Sequence, residues 1–207
     1  MILAIDTSTA ACTAALFDEA GACIAQADEL IGRGHAERLV PMIAEMLDGR
    51  TASQILVGVG PGSFTGIRVG IAAAHGLAIG WDAEVSGLSS LALIAVGAGS
   101  LPVAVAVRGG HGELFVQQFD AGLATPSPLL NLPPDQAAAA ISADLVVGTG
   151  AAELVEARGP GEARDGWPSA ADAMSLPADL RSLAPRPLYA RAPDALPSAA
   201  FAASRAA

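Results

Sequence analysis

Three shortages limit what this chain can be. Aromatic residues make up only 4% of the sequence, whereas apolar residues, swollen by alanine, make up 52%. The core must therefore be built from small side chains that let backbones approach closely. Positive charge is scarce too: 11 Lys and Arg against 21 Asp and Glu leave a net charge of -10. Nucleic-acid binding is dominated by neutralising phosphates, so such a surface does not grip RNA by itself, and any RNA would be held by another subunit. Cysteine is nearly absent. Cys12 and Cys23 stand in apolar, strand-like surroundings without metal-ligand spacing, which predicts two reduced core thiols. An export signal is lacking, because residues 1–5 run to Asp6 with no basic segment and no long apolar one, and the expected location is the cytoplasm. Nothing between Glu84 and Arg108 is charged, a run long enough to span a bilayer. Its interior argues against a span: Ser89-Ser90 reads as a helix start, residues 97–102 hold two glycines and a proline, and Val103, Val105 and Val107 alternate with alanine as in a strand.

What the chain has in quantity is glycine, concentrated in Gly60-Pro61-Gly62-Ser63-Phe64-Thr65-Gly66-Ile67-Arg68-Val69-Gly70. The β-branched, uncharged run at 55–59 reads as a strand buried on both faces. The run after the glycines reads as a helix, capped by Thr65 and carrying Ile67, Ile71, Ala74, Leu77 and Ala78 at helical spacing up to about Gly80. Such a strand-loop-helix junction directs unpaired N–H groups at the loop, suiting a phosphate or a carboxylate; equally, it can simply let a helix pack closely on a sheet. The known phosphate loops do not fit. Gly66 is followed by Ile67 and Arg68 rather than by Lys and Ser or Thr, the third glycine of a dinucleotide fingerprint is Ser63 or Thr65, and Pro61 stands where a hydrolase nucleophile elbow needs glycine.

Read in order, the chain opens with strand candidates at 2–5, 13–17 and 23–27, then a helix over 35–47, then the buried strand and the glycine junction. A strand at 84–88 and a helix from Ser89 follow. Three strands and then alternating helix and strand is the pattern of an RNase H-like lobe. Strands at 103–107 and 113–119, a helix at 135–141, a strand at 144–148 ending in Gly148-Thr149-Gly150 and a helix from Ala151 repeat it, which suggests two related lobes. Beyond Gly159 prolines thicken, so only short elements near 169–174 and 178–183 are expected. At 207 residues the chain can hold one large domain or two small lobes.

The glycine motif resembles the signature of the TsaB family, also called YeaZ. Residues 2–9, His35 with Leu39-Val40-Pro41, and Pro187-Leu188-Tyr189-Ala190-Arg191 resemble its other landmarks in the same order. The resemblance implies an α/β, two-lobed actin-like ATPase (RNase H-like, ASKHA) fold, with lobes at 1–100 and 101–184 and a tail at 185–207 packing back on the first lobe. It also implies a non-catalytic scaffold that dimerises when alone. In its complex it pairs with the catalytic subunit TsaD and joins the ATPase TsaE to place a threonylcarbamoyl group on the tRNA adenosine beside the anticodon. No tightly bound cofactor is implied; ATP or ADP at the TsaD interface is the candidate nucleotide, and tRNA is reached only through the complex. One segment departs from the family: Arg108-Gly109-Gly110-His111-Gly112 stands before Glu113 where the family usually has Asp-Ala-Arg, leaving that segment's role open.

The residues that invite chemistry each have a plainer reading. Asp6, with Thr7 beyond it, sits where actin-like ATPases place a carboxylate near nucleotide, but a turn carboxylate capping local N–H groups explains it as well. His35 heads a helix that carries a second His in the catalytic relative; here that position is Leu39, so no metal site is expected and a partly exposed histidine opening a helix is. Arg68 opposes the dipole of its helix and calls for an anion, either an acidic side chain such as Asp6 or a bound phosphate or partner carboxylate. Ser63 and Thr65 are the other candidate anion or nucleotide contacts. Gly66, Gly70, Ala74 and Ala78 recur every four residues as a smooth stripe. The stripe either packs on its own sheet or, as the resemblance implies, forms a subunit interface with His35, Leu39 and Met42 of the earlier helix. His75 and His111 belong to no catalytic motif in the sequence, and no Ser-His-Asp order stands out. The rival functions are a small-molecule kinase or ATPase of the same fold, and a peptidase for which no nucleophile or metal pair is visible.

Overall fold

The computed structural model describes residues 1–99, 102–120, 122–123 and 126–189. Two five-stranded sheets share one plan. The first holds β1 (Ile2–Asp6), β2 (Ala11–Phe17), β3 (Cys23–Leu30), β4 (Gln54–Gly58) and β5 (Glu84–Leu88) in the order β3-β2-β1-β4-β5. β1, β2 and β3 pair antiparallel, while β4 joins β1 and β5 joins β4 in parallel. The second holds β6 (Val103–Arg108), β7 (Leu114–Phe119), β8 (Leu130–Leu132), β9 (Leu145–Val147) and β10 (Glu162–Arg164) in the order β8-β7-β6-β9-β10, with the same senses. The echo read in the sequence is therefore a repeat of topology. β8 and β10 escape a sequence reading because each has three residues and, unlike the equally short β9, neither is a β-branched apolar run.

Helices α1 (His35–Leu47) and α2 (Phe64–Trp81) cover one face of the first sheet, where Leu3, Ile5, Ala14, Leu16, Ile55 and Val57 meet Leu39, Met42, Ile43 and Ala74. The intervening residues Ala4, Ala15, Phe17 and Leu56 point the other way, into a core shared with α3 (Ser90–Gly97), Val103, Val105, Val107 and Phe119. Burial of α3 from Ser90 to Ala95 fits its position between the sheets. Ala104 and Ala106 of β6 face α4 (Pro134–Ala140) and α5 (Ala151–Arg158) on the far side. No described helix is long and apolar enough to cross a membrane.

After β10 the chain returns to the first sheet. Ser169 donates to Asp28 at 2.9 Å, and the Ala170 N–H to Thr13 at 2.8 Å, where a 3₁₀ turn (Ala170–Ser175) begins. Helix α6 (Ala178–Arg181) leads to Leu183, which exchanges backbone hydrogen bonds with Gly87 on the edge strand β5, and the Leu188 N–H donates to the Val59 carbonyl. Arg191 and the remainder of the tail lie outside the described residues. Cys12 is buried as expected, its thiol pushed up to about 11 by burial. Cys23 is exposed instead, because it begins the edge strand β3, whose start has no neighbour on one side.

Candidate functional site

The glycine junction folds onto the end of β1. Ser63, not Thr65, caps α2: its side chain accepts from the Gly66 N–H at 3.2 Å with extended backbone angles, while Thr65 already lies within the helix. The Ser63 N–H donates to the Ser8 carbonyl at 2.6 Å and the Thr7 hydroxyl to the Gly66 carbonyl at 2.7 Å. Glycine is required here by close approach. A Cβ on Gly66 would stand 2.0 Å from the Thr7 carbonyl oxygen, and one on Gly58 would stand 1.9 Å from the Asp6 carboxylate.

Asp6 is the hub of this junction. Its Oδ1 accepts from the backbone N–H and the hydroxyl of Ser8, both at 2.7 Å, and its Oδ2 from the Ser90 hydroxyl at 2.5 Å. Ser90 in turn accepts the Gly60 N–H at 3.1 Å, so one carboxylate joins β1, the glycine loop and α3. Asp6, Thr7 and Ser8 are all buried. The turn-carboxylate reading describes this geometry, in which the Thr7, Ser8 and Ser90 hydroxyls and the Ser63 N–H all donate to acceptors of the chain itself.

Burial raises the Asp6 carboxyl above its ordinary value of 3.8, against the hydrogen bonds from Ser90 and Ser8 that pull it down. A folded-state value above the unfolded one means that the native protein binds this proton more readily. The group's contribution to stability therefore falls as pH rises from the unfolded value through the raised folded one, and is flat above it. In paired unfolding curves of the wild type and Asp6→Asn at several pH values, the wild type's advantage is expected to shrink as pH rises from the acid side. An advantage that grows with pH would show that the carboxyl is lowered instead.

The other candidates are placed differently from the sequence expectations. Among the described residues Arg68 reaches neither Asp6 nor any other carboxylate; its guanidinium lies 3.6 Å from the Phe64 ring centroid and its Nε–H donates to the Tyr189 hydroxyl at 3.0 Å. The far end of the chain supplies this partner, which no local pattern could announce. His35 is buried, not partly exposed, with Nε2 3.1 Å from the Ala11 carbonyl, because α1 begins directly against the start of β2. Leu39, Met42, Gly66, Gly70 and Ala74 are buried within the chain's own core. The small-residue stripe of Gly66, Gly70 and Ala74 brings α2 close to the Thr7 turn and β4, and a Cβ on Gly70 would lie 2.6 Å from the Thr7 hydroxyl. It is therefore not a surface; Ala78, half-buried, lies at its margin. The outward face of α2 is a second periodic set, Thr65, Arg68, Ala72, His75 and Ile79, with Ile79 87% exposed. Spacing of three and four residues in the sequence already marks this set, but only packing says which set is outermost.

The Arg108-Gly112 departure closes the β6–β7 turn: the Gly109 N–H donates to the Glu113 carbonyl at 2.8 Å, the Arg108 N–H to Thr149 at 3.1 Å, and the Arg108 side chain pairs with Glu153 at 2.7 Å on the surface. Among the described residues no group of three His, Cys, Asp or Glu side chains could hold a metal ion. The chain contains no lysine at all, a composition signal that excludes a P-loop ammonium anywhere in it.

Comparison with known proteins agrees with this architecture. The family model described as "TsaD: tRNA N6-adenosine threonylcarbamoyltransferase" matches residues 27–130. A tRNA threonylcarbamoyladenosine biosynthesis protein TsaB of Escherichia coli (strain K12) is 38% identical over 127 residues, 57% of this chain and 54% of that protein. The chain thus spans about half the length of the curated relatives it matches, 54% and 52% for the E. coli and Haemophilus influenzae proteins. Two solved structures cover nearly all of it. A Pseudomonas aeruginosa protein described as uncharacterized with similarity to peptidase YEAZ superposes with a TM-score of 0.78 at 32% identity, covering 92% of this chain and 99% of its own. YeaZ from Pseudomonas aeruginosa superposes with a TM-score of 0.74 at 29% identity, covering 91% and 98%. With two topologically repeated sheets of the actin-like type, a glycine junction locked onto the first strand and a match of this extent, the chain belongs to the TsaB (YeaZ) family.

Proposed function

We propose that this chain is a non-catalytic scaffold subunit in the formation of threonylcarbamoyladenosine in tRNA, acting by pairing with a TsaD-type catalytic subunit and a TsaE-type ATPase, and with itself when alone. The observation that carries the reading is the outer face of α1 and α2. Ile79 is 87% exposed on a helix whose neighbouring outward residues, Ala72, His75 and Gly76, are mostly small, and Val40 of α1 is 48% exposed beside Pro41 and Ala44. Large aliphatic side chains on a smooth face of two packed helices suit a helix-on-helix contact with another protein. The self-satisfied Asp6 supports the absence of catalysis, since its oxygens are already engaged by Ser8 and Ser90. The net charge of -10 supports tRNA being held by a partner.

Reconstitution tests this. With tRNA and a threonylcarbamoyl donor, the chain alone is expected to give no modified adenosine, and a TsaD-type subunit with its ATPase is expected to give much more product when the chain is added. Product formed equally well without the chain, or ATP turnover by the isolated chain as in an actin-like kinase or ATPase, would overturn it.

A further inference from the structure

The outer face of α1 exposes carboxylates and that of α2 a cation; past the helix ends, Arg50 is spent on the Met46 and Leu47 carbonyls and Asp82 closes α2 at the end away from that cation. α1 exposes Glu37 and Glu45, with Asp48 at its end, and Glu45 is already shared with Arg38. The outward set of α2 has one cation, Arg68. This arginine is held in place. Its guanidinium lies 3.6 Å from the Phe64 centroid and 5.8 Å from that of Tyr189, and its Nε–H is used by the Tyr189 hydroxyl. Tyr189 is itself delivered by the strap from Leu183 to Leu188, which is tied by backbone hydrogen bonds of 2.7 to 2.9 Å to Gly87 and Val59. Phe64, Leu188 and Tyr189 remain 43% to 55% exposed around it.

A guanidinium stacked on an aromatic ring and anchored through Nε keeps its two terminal nitrogens as a fork for a carboxylate, with little side-chain freedom left to lose on binding. Isologous pairing places the same patch on both subunits, so residue i of one meets residue j of the other and the reverse. A patch with carboxylates on one helix and a held cation on the next complements itself in that arrangement, and each dimer would make the contact twice. We propose that the Phe64–Arg68–Tyr189 stack is the charge-recognition element of the pairing face. Arg68 takes a carboxylate, Glu37 of α1 or Asp48 at its C-cap, from a second copy of this chain, and Tyr189 is the positioning residue that aims it. This rests on the reading of α1 and α2 as a pairing surface.

Sedimentation equilibrium at two salt concentrations, with Arg68→Ala, Tyr189→Phe, their double variant and Ile79→Asp, tests it. Arg68→Ala is expected to weaken self-association at least about tenfold, and Tyr189→Phe by about threefold through loss of one hydrogen bond. The double variant should be no weaker than Arg68→Ala, because Tyr189 acts through Arg68. Salt should weaken the wild type more than Arg68→Ala, while the unfolding midpoint of Tyr189→Phe stays near that of the wild type. If Ile79→Asp is monomeric while Arg68→Ala and Tyr189→Phe associate like the wild type, the pairing face stands and the stack is overturned as its recognition element. If Arg68→Ala loses association and Ile79→Asp does not, the stack is supported and the apolar stripe falls. A wild type that stays monomeric, or an Arg68→Ala defect seen only with a TsaD-type subunit, overturns the second copy as the occupant.

Discussion

Replacing Gly66 with alanine is expected to lower the unfolding midpoint by roughly 6–12 °C, while the same substitution at Gly76 in the same helix leaves it unchanged or raises it. The two glycines differ in what a methyl group would meet. At Gly66 it stands 2.0 Å from the Thr7 carbonyl oxygen and 3.2 Å from its carbon, both backbone atoms that no rotamer change can move. α2 must slide away from β1, breaking the Thr7–Gly66 hydrogen bond and loosening the contact between the Ser63 N–H and the Ser8 carbonyl. Overpacking of this kind costs about 3 kcal/mol or more, and in a chain of this size each kcal/mol moves the midpoint by about 2–4 °C. At Gly76 nothing lies within 4 Å of the added carbon, so the change only restores helix propensity, worth up to about 1 kcal/mol. Thermal unfolding at low protein concentration, where self-association contributes little, separates the two. A Gly66→Ala protein that melts like the wild type would show that α2 does not seat on the Thr7 turn as described.

Ile79→Asp is expected to reduce pairing by about 30-fold or more with the unfolding midpoint nearly unchanged. Because the side chain is 87% exposed, the monomer loses almost no buried contact when it is replaced. In a complex the same position would be covered by apolar groups, and a carboxylate there has to be desolvated without a partner, costing at least about 2 kcal/mol. Sedimentation of the chain alone and with a TsaD-type subunit measures the loss, and thermal unfolding of the same samples measures the midpoint. If pairing survives Ile79→Asp, the apolar part of the outward face of α2 around Ile79 is not the contact. Ala74, four residues after Gly70 in the inward stripe, is fully buried in the chain itself, so a larger residue there is expected to act on stability first.

Much of the architecture was legible in the sequence because it is encoded locally. The β-branched run before Gly60 could only be a buried strand, and the glycines after it marked where a helix meets a sheet. The alternation in Val103, Val105 and Val107 reappears as two faces of β6, one toward α3 and one toward α4 and α5. Asp6 was readable as a turn carboxylate from the Ser and Thr beside it. What escaped depends on neighbours distant in sequence. Cys23 has the composition of a core strand, yet it starts the edge strand. His35 looks like an exposed opening residue until the start of β2 is set against it.

Arg68 and the small-residue stripe mark the boundary between the two kinds of knowledge. Helical spacing alone defines two stripes on α2, Gly66-Gly70-Ala74 and Arg68-Ala72-Ile79, and nothing local says which one turns inward. The decision comes from Thr7, 59 residues before Gly66, whose carbonyl admits only a glycine against it and so turns the Ile79 side outward. The partner of Arg68 is likewise Tyr189, 121 residues away, carried to the first turn of α2 by a strap that pairs with the edge strand β5. The sequence by itself determined most of the succession of strands and helices and the site of the glycine junction, because periodicity and turn chemistry act within a few residues, while its motifs carried the resemblance to the family. Which surfaces face out, and which charges meet, only the tertiary structure decided, because steric fit and hydrogen bonding act between atoms far apart along the chain.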